Sequence, residues 1–195
     1  MESFYLMGKN KKSIIEIIDP NLKQTVQLDS LEEWQIYHWV LELYEMKVIL
    51  DYEYQPEEFQ LTEKVSYIPY FNNPKNKSKS LLQSHEYTAD FILVFDIKYG
   101  ELLSQYFKIS KDMIADNKIV IYIDIKGTFQ KNGGARTFSI NQKEVYQKYK
   151  IYVQKTVPQD LFKVLGVPMR CLRGYKGRPS KIYNSCMFAK TIFGK

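Results

Sequence analysis

Lys118-Ile-Val-Ile-Tyr-Ile-Asp-Ile-Lys-Gly127 is the stretch on which the reading of this chain turns. It is short, rich in β-branched residues and closed by a glycine, the composition of a strand buried on at least one face. Side chains alternate across a strand, so Asp124 and Lys126 share one face while Ile123 and Ile125 take the other. An acid and a base are thereby set side by side at the end of an apolar strand. Unpaired charge is costly to bury, so the pair needs either a salt bridge within itself or a metal and an anion to receive it.

The 195 residues suffice for one domain with a core and appended segments. The expected division is an N-terminal arm over 1–28, a main domain over 29–166 and a basic extension over 167–195. A hydrophobic fraction of 45% and an aromatic fraction of 15% exclude wholesale disorder. The net charge of +6 suits a polyanionic partner without requiring one. Cys171 and Cys186 lack both CxxC spacing and a nearby histidine, so neither a zinc site nor a disulfide framework is indicated, and a reducing, intracellular setting is expected. No leader-like segment opens the chain and no apolar run approaches the roughly 18 residues of a membrane span, so no membrane partner is expected.

Outward from the central stretch, Tyr87-Thr-Ala-Asp-Phe-Ile-Leu-Val-Phe-Asp96 reads as the second strong strand, with Asp90 at its start. Between the two strands, residues 97–117 read as a hairpin excursion containing Tyr106-Phe-Lys-Ile109. Leu31, Trp34, Tyr37, Leu41 and Tyr44 recur three or four apart, the mark of an amphipathic helix, and Ser30 with Glu33 fits a capping box at its start. Val48 to Gln55 and Phe59 to Leu61, broken at Pro56, read as two edge-type strands. Residues 13–18 read as a strand or a loose arm, preceded by Lys9, Lys11 and Lys12. The loop Asn72–Ser80 is basic and turn-rich.

After the glycine-rich turn Lys131–Gly134, a helix capped by Ser139 or Asn141 is expected to run to Tyr149, followed by a strand at Ile151–Gln154 and a proline-started helix from Val157 to Leu165. In the tail, Arg170, Arg173, Lys176, Arg178 and Lys181 alternate with Tyr175 and Tyr183, a pattern that suits nucleic acid or a solvated extension. The sum is an α/β fold, a small mixed β-sheet flanked by helices.

There is no GxSxG elbow, Walker loop or HExxH, and His38 and His85 have no partner at ligand spacing. What remains is Asp90 on one strand, Asp124 and Lys126 on the next, and Glu33 on the first helix. With these residues the chain resembles the PD-(D/E)XK nuclease superfamily: Thr88-Ala-Asp90-Phe stands where that family opens a strand with proline-aspartate, and Asp124-Ile-Lys126-Gly where it shows acid-x-lysine. Glu53-Tyr-Gln55-Pro, Tyr87-Thr-Ala-Asp-Phe and Arg136-Thr-Phe look like the endonuclease I type of junction-resolving phage enzyme, over about Ser30 to Val157. Alanine replaces the proline at 89, which alters turn geometry and removes no ligand.

The resemblance implies a restriction-endonuclease-like core and a magnesium-dependent DNA endonuclease, with manganese able to substitute, selective for Holliday-junction or branched DNA and acting as a homodimer. It implies Asp90, Asp124 and the Ile125 carbonyl as metal ligands, Glu33 as a further ligand or a holder of water, and Lys126 as the stabiliser of charge developing at the scissile phosphate. Gln55, Arg136 and Lys143 are candidate DNA contacts. Two other functions stay open: a duplex-end or single-strand nuclease in phage replication or packaging, and a non-catalytic DNA-binding or virion-associated module with the same fold.

Overall fold

A computed structural model describes residues 15–70, 77–127, 134–173, 183 and 186–194, with the backbone alone for 134–136. Lys9, Lys11, Lys12, residues 71–76, the turn 131–133, Tyr175, Lys176, Arg178, Lys181 and the side chain of Arg136 lie outside the described residues.

The chain opens with an antiparallel hairpin, β1 (Ile15–Asp19) and β2 (Gln24–Leu28), followed by α1 (Leu31–Glu45). Three strands then build the main sheet: β3 (Ile49–Tyr54), β8 (Phe91–Asp96) and β10 (Lys118–Ile125). Between β3 and β8 the chain makes two nested two-stranded ribbons, β4 (Phe59–Thr62) with β7 (His85–Tyr87), and β5 (Val65–Tyr67) with β6 (Lys79–Leu82). After β10 come α3 (Gly134–Tyr149), β11 (Val153–Thr156) and α4 (Pro158–Leu165). The sheet order is β11-β10-β8-β3, with β10 antiparallel to β8 and parallel to β11; β9 (Ile114–Ala115) also pairs with β10. This is the small mixed sheet flanked by helices that the sequence predicts.

Alternation along β10 sorts the layers. Ile119, Ile121, Ile123 and Ile125 join Phe91, Leu93 and Phe95 in the larger core, against Ile36, Trp39 and Leu43 of α1 and Leu161, Phe162 and Leu165 of α4. Tyr122 faces the other way, onto a smaller cluster of Phe59, Leu61, Tyr87, Phe138, Val145 and Val153 that joins the β4–β7 ribbon to α3.

Four expectations are corrected. The hairpin contributes Ile15, Ile17, Val26 and Leu28 to the larger core, so residues 15–28 are not a loose arm. The described tail is packed too, through Val167, Cys171, Tyr183, Ala189 and Phe193; the Ala189 amide donates to the Val167 carbonyl at 3.0 Å beside Gly166, whose φ of 84° ends α4. Residues 97–117 form no hairpin of their own. They run through a 3-10 turn, α2 (Gly100–Leu103) and a second 3-10 turn before β9, burying Leu103, Phe107 and Met113. Finally, α3 starts at Gly134 rather than at Ser139 or Asn141, so the expected cap lies inside the helix.

Candidate active site

The site forms where β8 begins and β10 ends. These strands are antiparallel neighbours with Phe91 opposite Ile123, so Asp90 and Asp124 are brought to the same end of adjoining strands. The Asp90 amide donates to the Ile123 carbonyl at 2.9 Å, and the Ile125 amide donates to Asp90 Oδ2 at 2.5 Å. The Asp90 carboxylate thus continues the ladder one step past the last backbone pair.

Asp124 is buried and has two partners. Tyr87 donates its hydroxyl to Asp124 Oδ2 at 2.7 Å, and the Lys126 ammonium forms an ion pair with Oδ1. Of the two ways the sequence left open for holding this pair, the salt bridge is the one present. Lys126 also lies 5.9 Å from the centre of the Phe138 ring, so α3 holds the ammonium from the other side. Its amide donates to the Thr156 carbonyl at 2.9 Å, fixing the strand end to β11.

Glu33 lies beside these groups at the start of α1. The Ser30 hydroxyl donates to Oε1 at 2.8 Å, while the Asp29 amide and the Tyr54 hydroxyl donate to Oε2 at 3.1 and 2.8 Å. Ser30 Oγ in turn accepts from the Glu33 amide at 3.1 Å, so the cap expected from the sequence is formed and the carboxylate is occupied by three donors. Gln55 reaches the rim: its amide donates to the Asp90 carbonyl at 2.9 Å and its side chain donates to the Tyr54 hydroxyl at 3.2 Å. Its φ of 49° is in the left-handed region, a strained backbone held by that contact.

Ser30, Glu32, Glu33, Asp90, Lys126 and Gly127 line a cleft of about 420 Å³. Its charge is mostly negative, and the consequence falls on Asp90. Burial, then Asp124, with Glu33 adding to both, pushes the Asp90 carboxyl up to about 7, against the opposing Ile125 amide and Lys126. An acid-rich cleft in a chain of net charge +6 is a place for a cation before it is a place for a phosphate.

Of the residues singled out from the sequence, Glu33, Asp90, Asp124, Ile125, Lys126 and Gln55 are brought together. Lys143 is not, since it lines a separate groove with Lys108, Asp112, Tyr146 and Tyr152. Arg136 is in the first turn of α3. His38 packs edge-on to Trp34 at 4.5 Å, where burial, then Arg170, lowers it to about 4; His85 pairs with Glu144 at 3.6 Å. Neither histidine belongs to the cleft. Sequence reasoning missed Glu32, Tyr54, Tyr87 and Lys155, which the β10–β11 register sets beside Asp124. Tyr54 and Tyr87 stand inside stretches that carry the resemblance and Glu32 stands beside the capping glutamate, whereas Lys155 carries no local signal.

Among the described residues no group of three or more His, Cys, Asp or Glu side chains is arranged to hold a metal ion. Comparison of the chain with protein-family models, with curated proteins and with solved structures finds no match in any of the three.

Proposed function

We propose that the protein is a metal-dependent endonuclease hydrolysing DNA phosphodiester bonds, with Asp90, Asp124 and Lys126 as its working groups. The observation that carries the reading is the convergence of the two acids and the amine at the ends of adjoining strands, β8 and β10, within the helix–three strands–helix–strand order of the core. The donor set fits a hard divalent cation: Asp90 has one carboxylate oxygen outside the amide contact, and its raised pKa marks negative charge that a cation relieves. Asp90, Asp124 and the Ile125 carbonyl would hold magnesium or manganese. When bound, the ion would supply Lewis acidity toward the phosphate oxygens and the attacking water.

The remaining roles belong to the chain. Tyr87 fixes the rotamer of Asp124, and Phe138 with Asp124 holds the Lys126 ammonium where it meets charge developing on phosphate. Glu33 orders the start of α1 and, through Tyr54, the rim residue Gln55. Selectivity for branched DNA and a homodimeric assembly follow from the resemblance and form part of the proposal.

The test is Asp124→Asn against the parent on supercoiled, linear, single-stranded and four-way-junction DNA with magnesium. We expect cutting to fall by at least about a hundredfold, since even groups one shell out from a metal cost 10–100-fold, with the melting temperature and DNA affinity retained. Cutting at the parental rate would overturn the assignment. The substrate panel separates a junction enzyme from a duplex-end or single-strand nuclease.

One observation favours a second reading, a DNA-binding module without catalysis: Asp124 is already paired with Lys126 and Glu33 already has three donors. A self-satisfied site gains nothing from magnesium. A competent one is stabilised by about 1.4 kcal/mol at ten times Kd, which a melting curve with and without the ion detects.

A further inference from the structure

The second large concavity lies away from the acidic cleft. A groove of about 550 Å³ crosses the sheet edge at β11, with Lys108 and Asp112 on one wall, Gln142, Lys143 and Tyr146 of α3 on the other, and Tyr152 between them. That volume falls in the range of about 300–1,000 Å³ that holds small ligands.

Both walls are pinned to the edge strand. The Lys108 amide donates to Gln154 Oε1 at 2.7 Å, and Gln154 Nε2 donates back to the Lys108 carbonyl at 3.2 Å. On the α3 side, Gln142 Nε2 donates to the Val153 carbonyl at 2.6 Å. These side chains occupy the edge that an added strand would use, which argues against a peptide docking there by strand pairing. The shape of the groove is therefore set before anything binds.

Its chemistry is specific in sign and in geometry. Lys108 and Lys143 supply two exposed ammonium groups. Tyr146 and Tyr152 stand edge to face, centroids 6.4 Å apart and planes at 84°, so the corner offers ring surface in two directions. Cations beside tyrosine rings match a phosphate with an unstacked base, and a base-paired duplex exposes no base face to a ring. Asp112 provides an acceptor for base amino groups.

We propose that this groove binds an unpaired nucleotide of single-stranded nucleic acid, its phosphate at Lys108 and Lys143 and its base on Tyr146 and Tyr152. The inference rests on the nuclease reading only for the class of partner. It shares no lining residue with the acidic cleft, which makes it an anchor for a strand rather than a part of the reacting centre.

Fluorescence anisotropy of full-length protein with fluorescein-labelled oligodeoxythymidylate and oligouridylate, in EDTA, tests it. We expect Tyr146→Ala and Lys108→Glu each to weaken single-strand binding about tenfold, Tyr146→Phe to retain it because the ring is kept, and affinity for a blunt duplex to change far less. Binding of either oligonucleotide with this pattern supports the site, and the preference between the two names the source. Binding of neither, a parallel loss for duplex, a loss in Tyr146→Phe, or equal displacement by polyglutamate at matched charge overturns it. The substitutions are at exposed side chains, and a melting curve of each variant checks that it folds. The two readings fail separately: cleavage by Asp124→Asn judges the nuclease, whereas anisotropy in EDTA needs no cleavage.

Discussion

Asp19 and Asp90 are both carboxylates withdrawn from water at the end or start of a strand, and they are treated oppositely. Asp19 is fully buried, and burial by itself would raise its pKa. Four donors outweigh that: the Tyr52 and Tyr37 hydroxyls at 2.6 and 2.7 Å and the Asn21 and Leu22 amides at 2.8 and 3.0 Å, so the net shift is downward. Asp90 accepts from the Ile125 amide and has two acidic neighbours, Asp124 and Glu33, and its carboxyl is pushed up to about 7. One acid is solvated by the fold. The other is left with charge that the fold does not neutralise, and that difference separates a structural carboxylate from a candidate reactive one.

Removing each acid should therefore have opposite consequences. Asp19→Ala strands two tyrosine hydroxyls inside the core and frees the β1–β2 turn, so we expect a loss of about 3 kcal/mol, near 10 °C in melting temperature for a domain of this size. Because the Asp19 pKa is lowered in the folded state, its contribution is present above the unfolded value and is lost as pH falls through the folded one. The difference between parent and variant in urea unfolding should then shrink in acid. A variant as stable as the parent at pH 7 would remove the contrast altogether.

Asp90→Asn carries a smaller change with the other sign. A carboxyl whose folded pKa is raised to about 7 costs stability once both states would otherwise ionise, so the penalty is absent below the unfolded value near 4 and complete above about 7. Asparagine does not ionise. In EDTA at pH 8 the variant should melt above the parent, and the gap should close by pH 4. In the same variant the magnesium-dependent rise in melting temperature should vanish, which ties the unneutralised charge to the ion.

The parts of this contrast that could be read from the chain are those carried by local pattern. β10 and β8 follow from runs of β-branched and aromatic residues, α1 from its cap and period, α4 from Pro158. The helical face was drawn too narrow: Leu31 is exposed, and Ile36, Trp39, Val40 and Leu43 are buried, because the hairpin and the tail cover α1 on sides its period alone leaves to solvent. The helix expected from Ser139 or Asn141 begins at Gly134 instead: glycine and threonine are weak helix formers, and contacts of Phe138 with the smaller core override that preference. Asp90, Asp124 and Lys126 were legible as a spacing. Tyr87 on Asp124 and the tyrosine cage of Asp19 were not, since those partners lie 37, 18 and 33 residues away and no local rule links them.

The smallest change sharpens the comparison most finely. A Cβ on Gly127 would lie 2.9 Å from Glu32 Oε1, the free end of a half-exposed side chain, so Glu32 can swing aside. In Gly127→Ala the strain of that movement is offset by about 0.4–1 kcal/mol from the smaller freedom of the unfolded chain. The ion-free melting temperature should stay within about 2 °C of the parent. What should change is the response to magnesium: with Glu32 turned out, the cleft loses a negative neighbour and the ion-dependent rise should shrink, as it should in Glu32→Gln. An undiminished rise in both variants would confine the ion to Asp90 and Asp124. Nothing equivalent is possible around Asp19, where every oxygen is already committed and a displaced partner would have to unfold to move.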